Sequence, residues 1–199
     1  MKILVVGASG TLGKAVTANL RERHDVVTAG RNSGDHRVDL TDEASVHALF
    51  SAIGRVDAIV AATGSVHFGP LAEMTAANFN VGLQDKLLGQ VRLALIGQHH
   101  LNDGGSITLT SGVLSENPIR LGANASCVNA AIDGFVRAAA CELPRGIRIN
   151  AISASVFVEA WDAYRDYFAG FEPVPAARVA LAFQRSVEGV TTGQAIKVW

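Results

Sequence analysis

Apolar residues fall along this chain in short runs, separated by longer stretches in which they return every third or fourth position. The runs are Ile3–Val6, Val26–Ala29, Ala58–Ala61, Ile107–Leu109, Ile147–Ile152 and Ala195–Val198. Such runs suit strands buried on both faces and are too short for helices. A further short strand closes at Asp39 and Leu40. Between the strands, Leu12, Val16 and Leu20 recur every fourth residue with Ala15 beside them, the inward stripe of an amphipathic helix. Comparable patterns run near Thr41–Ile53, Leu83–Leu101, Ala123–Leu143 and Ala176–Val187. Strand and helix in alternation predict an α/β, doubly wound, mostly parallel sheet of about seven strands, with right-handed crossovers placing helices on both faces. With no linker and no solenoid repeat in 199 residues, a single domain is expected.

The first strand, a glycine-rich turn and the first helix fit within Lys2–Leu20, and that arrangement predicts a pyrophosphate site. The first N–H groups of a helix lack carbonyl partners and carry partial positive charge, so they hold an anion without a lysine. Gly7 permits the turn, Gly10 admits the phosphates, and Gly13 lets helix and strand approach. Gly7, Ser9, Gly10, Thr11, Leu12 and Gly13 are therefore candidate cofactor-binding residues. A purely structural turn is the competing reading, less favoured because strand and helix flank the glycines on the correct sides.

In a sheet of this kind ligands lie beyond the carboxyl ends of the strands. The second strand ends in Arg31, Asn32 and Ser33, with no acid to bind a ribose 2′-hydroxyl. A guanidinium there suits a 2′-phosphate and favours NADP(H), the alternative being a solvated loop arginine. Asp39 and Leu40 suit an adenine ring, and Ala61, Ala62, Thr63 and Gly64 let backbone lie against the cofactor's ribose. Helix capping and tight turning are the competing roles for these two stretches.

Charge removes other classes of partner. Seventeen basic against eighteen acidic side chains leave a formal charge of −1, which offers no electrostatic case for nucleic acid or an anionic membrane. No apolar run approaches bilayer length, and the first one begins the fold, so neither a membrane partner nor a secretory segment is expected. Cys127 and Cys141 would stand roughly 21 Å apart on one helix at about 1.5 Å per residue, too far for a disulfide. A reducing cytoplasm fits. The six histidines show no metal-ligand spacing, so no metal is expected, and His99 and His100 read as helix-end residues.

Fragments in order along nearly the whole chain resemble the short-chain dehydrogenase/reductase family: GASGTLG, AGR, VDL, AATG, SITLTSG, ASCVNAAIDGFVRAAACELPRGIRINAIS and TGQAIKV. The chain is also similar to a subset of unusually short bacterial dehydrogenases. The resemblance implies a Rossmann-type fold, a nicotinamide cofactor and a homodimer or homotetramer. It implies that Ser111 is the active-site serine. It also implies that Ala125 stands where the family carries its proton-donating tyrosine, and Asn129 where it carries a lysine. Asn129 can still bond ribose hydroxyls but brings no charge. The family's asparagine on the preceding helix aligns with Lys86, although a one-residue slip would place Asp85 there. Lys86 is thus either a second catalytic candidate or an ordinary solvated lysine. Ala154-Ser155 replaces the usual Pro-Gly pair, and Tyr164 and Tyr167 fall in the segment where the family places its substrate lid.

Two functions are compatible with these residues. One is an NADP(H)-dependent oxidoreductase acting on a small carbonyl or alcohol, with Ser111 and Lys86 as catalytic residues. The other is a catalytically silent NADP(H)-binding redox sensor or oligomerisation partner. The enzyme reading is preferred, and the substrate's identity lies beyond what the sequence specifies.

Overall fold

Alternate side chains of β1 (Lys2–Val6) feed two separate cores in the computed structural model, which describes residues 1–199. Ile3 and Val5 pack with Leu12, Val16 and Leu20 of α1 (Thr11–Arg21) and with Val179, Phe183 and Val187 of α7 (Ala176–Glu188). Leu4 and Val6 face the other way. There they meet Phe50 of α2 (Glu43–Ile53), Leu93 of α4 (Gly89–Gly97) and Ile132 of α5 (Ala123–Ala139). The two-residue period of a strand serves both faces at once, which is why its sequence is apolar throughout.

The other strands are β2 (Asp25–Gly30), β3 (His36–Arg37), β4 (Val56–Ala61), β5 (Leu101–Thr110), β6 (Arg148–Ala154) and β7 (Ala195–Val198), and two short helices, α3 (Ala76–Gly82) and α6 (Trp161–Tyr164), complete the set. They form one seven-stranded sheet in the order β3-β2-β1-β4-β5-β6-β7, parallel throughout. This is the expected Rossmann-type, doubly wound α/β fold. Val6 is in register with both Ala29 and Ala61, so the carboxyl ends of β1, β2 and β4 finish level. Chain order reverses between β1 and β4, and a crevice opens above that point.

Three elements depart from the sequence reading. The third strand stops at Arg37 instead of running to Asp39 and Leu40. Its neighbour β2 ends at Gly30, whose carbonyl takes the Val38 amide at 3.1 Å, and the Asp39 amide turns instead to the Ser45 hydroxyl at 3.0 Å. The helix expected over Leu83–Leu101 is a π-helical turn at Leu83–Leu88, then α4, then a 3₁₀ turn at Gln98–His100. Leu101 is fully buried and pairs with Val56, so it opens β5 instead. The helix expected to reach Leu143 ends at Ala139, because Pro144 and the left-handed Arg145 and Gly146 turn the chain into β6. Cys141 thus lies beyond the helix, and both cysteines are free and exposed. β5 starts well before the expected Ile107, and other element ends differ by one or two residues. No helix is long and apolar enough to cross a membrane.

Candidate functional site

The crevice above the sheet is a cavity of about 660 Å³. Its floor at one end is the turn from β1 into α1. Gly7 adopts φ +88°, and a methyl group added at Gly13 would collide with the Gly7 carbonyl. Only residues without a Cβ allow α1 to begin so close to β1. Gly10 is the N-cap and supplies no side-chain bond, and no acid occupies the first helical turn. The leading amides of α1 are thus left for a ligand, and the helix dipole favours a negative one. Gly7, Ser9, Gly10, Thr11 and Leu12 border the cavity, with Gly13 behind them.

Arg31, Asn32 and Ser33 border the same end. The Arg31 guanidinium is not free: Nη2 donates to Asp85 Oδ2 at 3.2 Å and lies 3.5 Å from Asp39 Oδ1. Asp85 Oδ1 in turn accepts from the Ser65 amide at 2.8 Å. One carboxylate therefore ties β2's end to the loop after β4 across the mouth of the crevice. Leu40 borders the cavity with Val38, but Asp39 does not. Its carboxylate accepts the Thr41 hydroxyl and amide, bonds that, with Arg31 nearby, hold its pKa below the usual value. Asp42, not Thr41, caps α2 through the Ala44 amide. Ala62, Thr63 and Gly64 line the cavity, whereas Ala61 is buried beneath it and accepts the Thr110 hydroxyl at 2.6 Å.

The far end gathers Ser111, Ala125, Asn129 and Lys86. The π-helical turn decides what Lys86 does: Asp85 and Lys86, adjacent in sequence, both line the cavity, Asp85 toward Arg31 and Lys86 toward Ser111. Both candidates for the family's asparagine position thus reach the crevice. Gly64, at φ +129°, makes this possible, because a methyl there would sit 2.5 Å from Lys86 Cγ. Lys86 Nζ donates to the Ser111 carbonyl at 3.1 Å, and the Ser111 hydroxyl donates to the Asn129 carbonyl at 3.2 Å. Burial lowers the Lys86 pKa to about 8, partly opposed by the field of Asp133. Gln90, fully buried one turn on, donates to the Lys86 and Thr110 carbonyls and accepts from the Thr110 amide.

Beyond Ser111 the walls are apolar. Val66, Phe68, Val113, Leu114, Val156 and Phe168 form or flank a small cluster of their own. Tyr164 lines the cavity and Tyr167 does not, each stacking at an angle on Phe68 with centroids 6.1 and 5.9 Å away. Asn124, fully buried, secures this rim: it accepts from the His67 amide and donates to the Phe79 carbonyl.

Sequence reasoning missed Asn124, Gln90 and Asp133. The available signal was a polar residue on the inward stripe of a helix, where burial demands a partner. No group of three or more His, Cys, Asp or Glu side chains is placed to hold a metal.

Residues 5–195 match the family described as enoyl-(acyl carrier protein) reductase. Among curated relatives, a hydroxynaphthalene reductase of Aspergillus fumigatus is 30% identical over 138 residues, 66% of this chain and 50% of that protein. An uncharacterized oxidoreductase of Mycobacterium tuberculosis is 28% identical over 180 residues, 78% of this chain and 67% of that protein. This chain thus spans half to two thirds of the length of these relatives. Among solved structures, the protein lin1944 from Listeria innocua is 50% identical, with a TM-score of 0.98 over 100% of both chains. A small-chain dehydrogenase in complex with NADPH is 28% identical, with a TM-score of 0.90 over 100% of this chain and 96% of that one.

Proposed function

This chain belongs to the short-chain dehydrogenase/reductase family, and from that membership we propose an NADP(H)-dependent oxidoreductase acting on a small carbonyl or alcohol. The observation that carries the reading is a single cavity running from the uncapped N-terminus of α1 past Arg31 to Ser111 and Lys86. The residues fit the cofactor: bare amides and a glycine cradle for pyrophosphate, a guanidinium for the 2′-phosphate, and small side chains at Ala62 and Gly64 for ribose. The small-chain dehydrogenase that resembles this chain binds NADPH, in keeping with that assignment.

When bound, NADPH supplies the hydride. What the chain must supply is orientation and a proton. Ser111 turns its hydroxyl from the Asn129 carbonyl to the substrate oxygen. The Lys86 ammonium, next to it, donates the proton that Ala125 cannot. In this reading Ala125 and Asn129 occupy the family's tyrosine and lysine positions, and Asn129 bonds ribose with its amide. Substrates are uncharged around the carbonyl, since the walls beyond Ser111 offer no carboxylate or guanidinium. Exposed Leu88 and Leu95 on the π-helical turn and α4 are where a homodimer or homotetramer would form, and the cytoplasm is the proposed setting.

A carbonyl panel monitored by NADPH oxidation tests this. Ser111→Ala and Lys86→Met should each lower kcat/KM by about 10²-fold or more, the scale of general-acid catalysis. Full rates in both variants would reject these catalytic residues. The silent-sensor reading keeps one observation in its favour, the resting engagement of both groups with backbone carbonyls. It would take over if NADPH binds tightly and no carbonyl is turned over.

A further inference from the structure

Behind the cavity wall, α5 carries a column of oxygens with no partner. Ser126 Oγ, Asn129 Oδ1 and Asp133 Oδ1 lie on one face at helical spacing, each out of solvent and without a hydrogen bond. Asn129 is 3% exposed and Asp133 is 5% exposed. Buried polar atoms are rarely left so, and a buried carboxylate least of all. The π-helical turn that packs on this helix brings Lys86, which has three N–H donors and uses one on Ser111. Water shared among these groups would satisfy them.

The titratable groups facing Lys86 are few. On its own turn Asp85 is engaged by Arg31 and the Ser65 amide. The end of β5, the loop after β4 and α4 present Ser111, Thr63, Gly64 and Gln90, none of them ionisable. From α5 comes Asp133 alone. A substrate and cofactor filling the crevice that Lys86 lines would close its ammonium off from solvent. An ammonium so enclosed sheds its proton unless a counter-ion remains.

We propose that Asp133 is that counter-ion: a positioning residue that keeps Lys86 protonated in the filled site, through water shared with Asn129 Oδ1 and Asp133 Oδ1. Its purpose rests on the oxidoreductase reading above. Asp133 itself touches no substrate and acts only through Lys86.

The chain has four lysines, Lys2, Lys14, Lys86 and Lys197, so ¹³C-lysine labelling of the full-length protein gives four Cε signals. Lys86→Met identifies the relevant one. Its titration midpoint should lie near 8. Asp133→Asn should move the Lys86 midpoint down by roughly half a unit or more, since it deletes the stabilising charge. Asn129→Asp, which adds a carboxylate one turn nearer the cavity, should move it up and carries the test if Asp133→Asn does not fold. A midpoint unmoved by Asp133→Asn, or not raised by Asn129→Asp, overturns the proposal. NADPH calorimetry on the wild type separates the two readings: no cofactor binding alongside the expected lysine shifts would reject the oxidoreductase and leave the Lys86–Asp133 pair standing.

Discussion

At the scale of single residues, Lys86 combines a cost and a use. Its ammonium is charged at neutral pH against the pull of burial, so the folded protein is less stable than an apolar side chain there would make it. The pKa falls from 10.5 in the open chain to about 8 in the fold. Between those values the unfolded chain binds the extra proton, so the penalty is full below pH 8 and relieved as pH rises toward 10.5. Lys86→Met should therefore raise stability at pH 7 by up to about 3 kcal/mol while lowering turnover, the stability read as a higher midpoint in chemical denaturation. The same pKa sets the direction of the pH profile: a reductase that needs protonated Lys86 loses rate above pH 8. The glycines and Arg31 were legible in the sequence because each answers a demand that local spacing exposes, and Ser111 only through the family resemblance that SITLTSG carries. Asp133 was not, because its partner comes from a turn 47 positions earlier, from Lys86, and no local rule joins them.

At the scale of elements, the π-helical turn is where periodicity misled. Apolar spacing over Leu83–Leu101 reads as one helix, yet one widened turn presents Asp85 and Lys86 together to the crevice. Widened turns of this kind are frequent at functional sites. Asp85 holds Arg31 in the resting cleft, so a 2′-phosphate must compete with it. Asp85→Asn should tighten NADPH binding by up to about 5-fold, the scale of an exposed ion pair, and leave NADH unchanged. Equal changes for both nucleotides would show that the pair has no part in 2′-phosphate recognition. The β1–α1 corner makes a different demand. A methyl group at Gly13 meets backbone that cannot give way, so Gly13→Ala should cost about 2 kcal/mol or more, lower the Tm and weaken both nucleotides alike. Third-strand length, by contrast, depended on where β2 ends and on the Asp39 amide turning to the Ser45 hydroxyl, a contact that hydrophobic pattern does not encode.

For the molecule as a whole, alternation of apolar runs and helical stripes was enough to specify a parallel, doubly wound sheet, because burying both faces leaves few other connections. That topology then places its crevice where strand order reverses, and most candidate cofactor residues meet there without having been near one another in sequence. Gly13, Asp39 and Ala61 stand just outside the cavity and support its walls. The apolar far wall was hidden in the sequence, since Phe68, Val113 and Phe168 come from three separate loops.

The nucleotide that the crevice takes is the property on which the assigned chemistry depends. Calorimetric titration of the wild type and Arg31→Ala with NADPH and NADH measures this directly. The wild type should bind NADPH roughly ten-fold or more tightly than NADH, the scale of one charge-assisted contact, and Arg31→Ala should remove most of that difference. Equal affinities in the wild type, or a preference that survives the substitution, would contradict it.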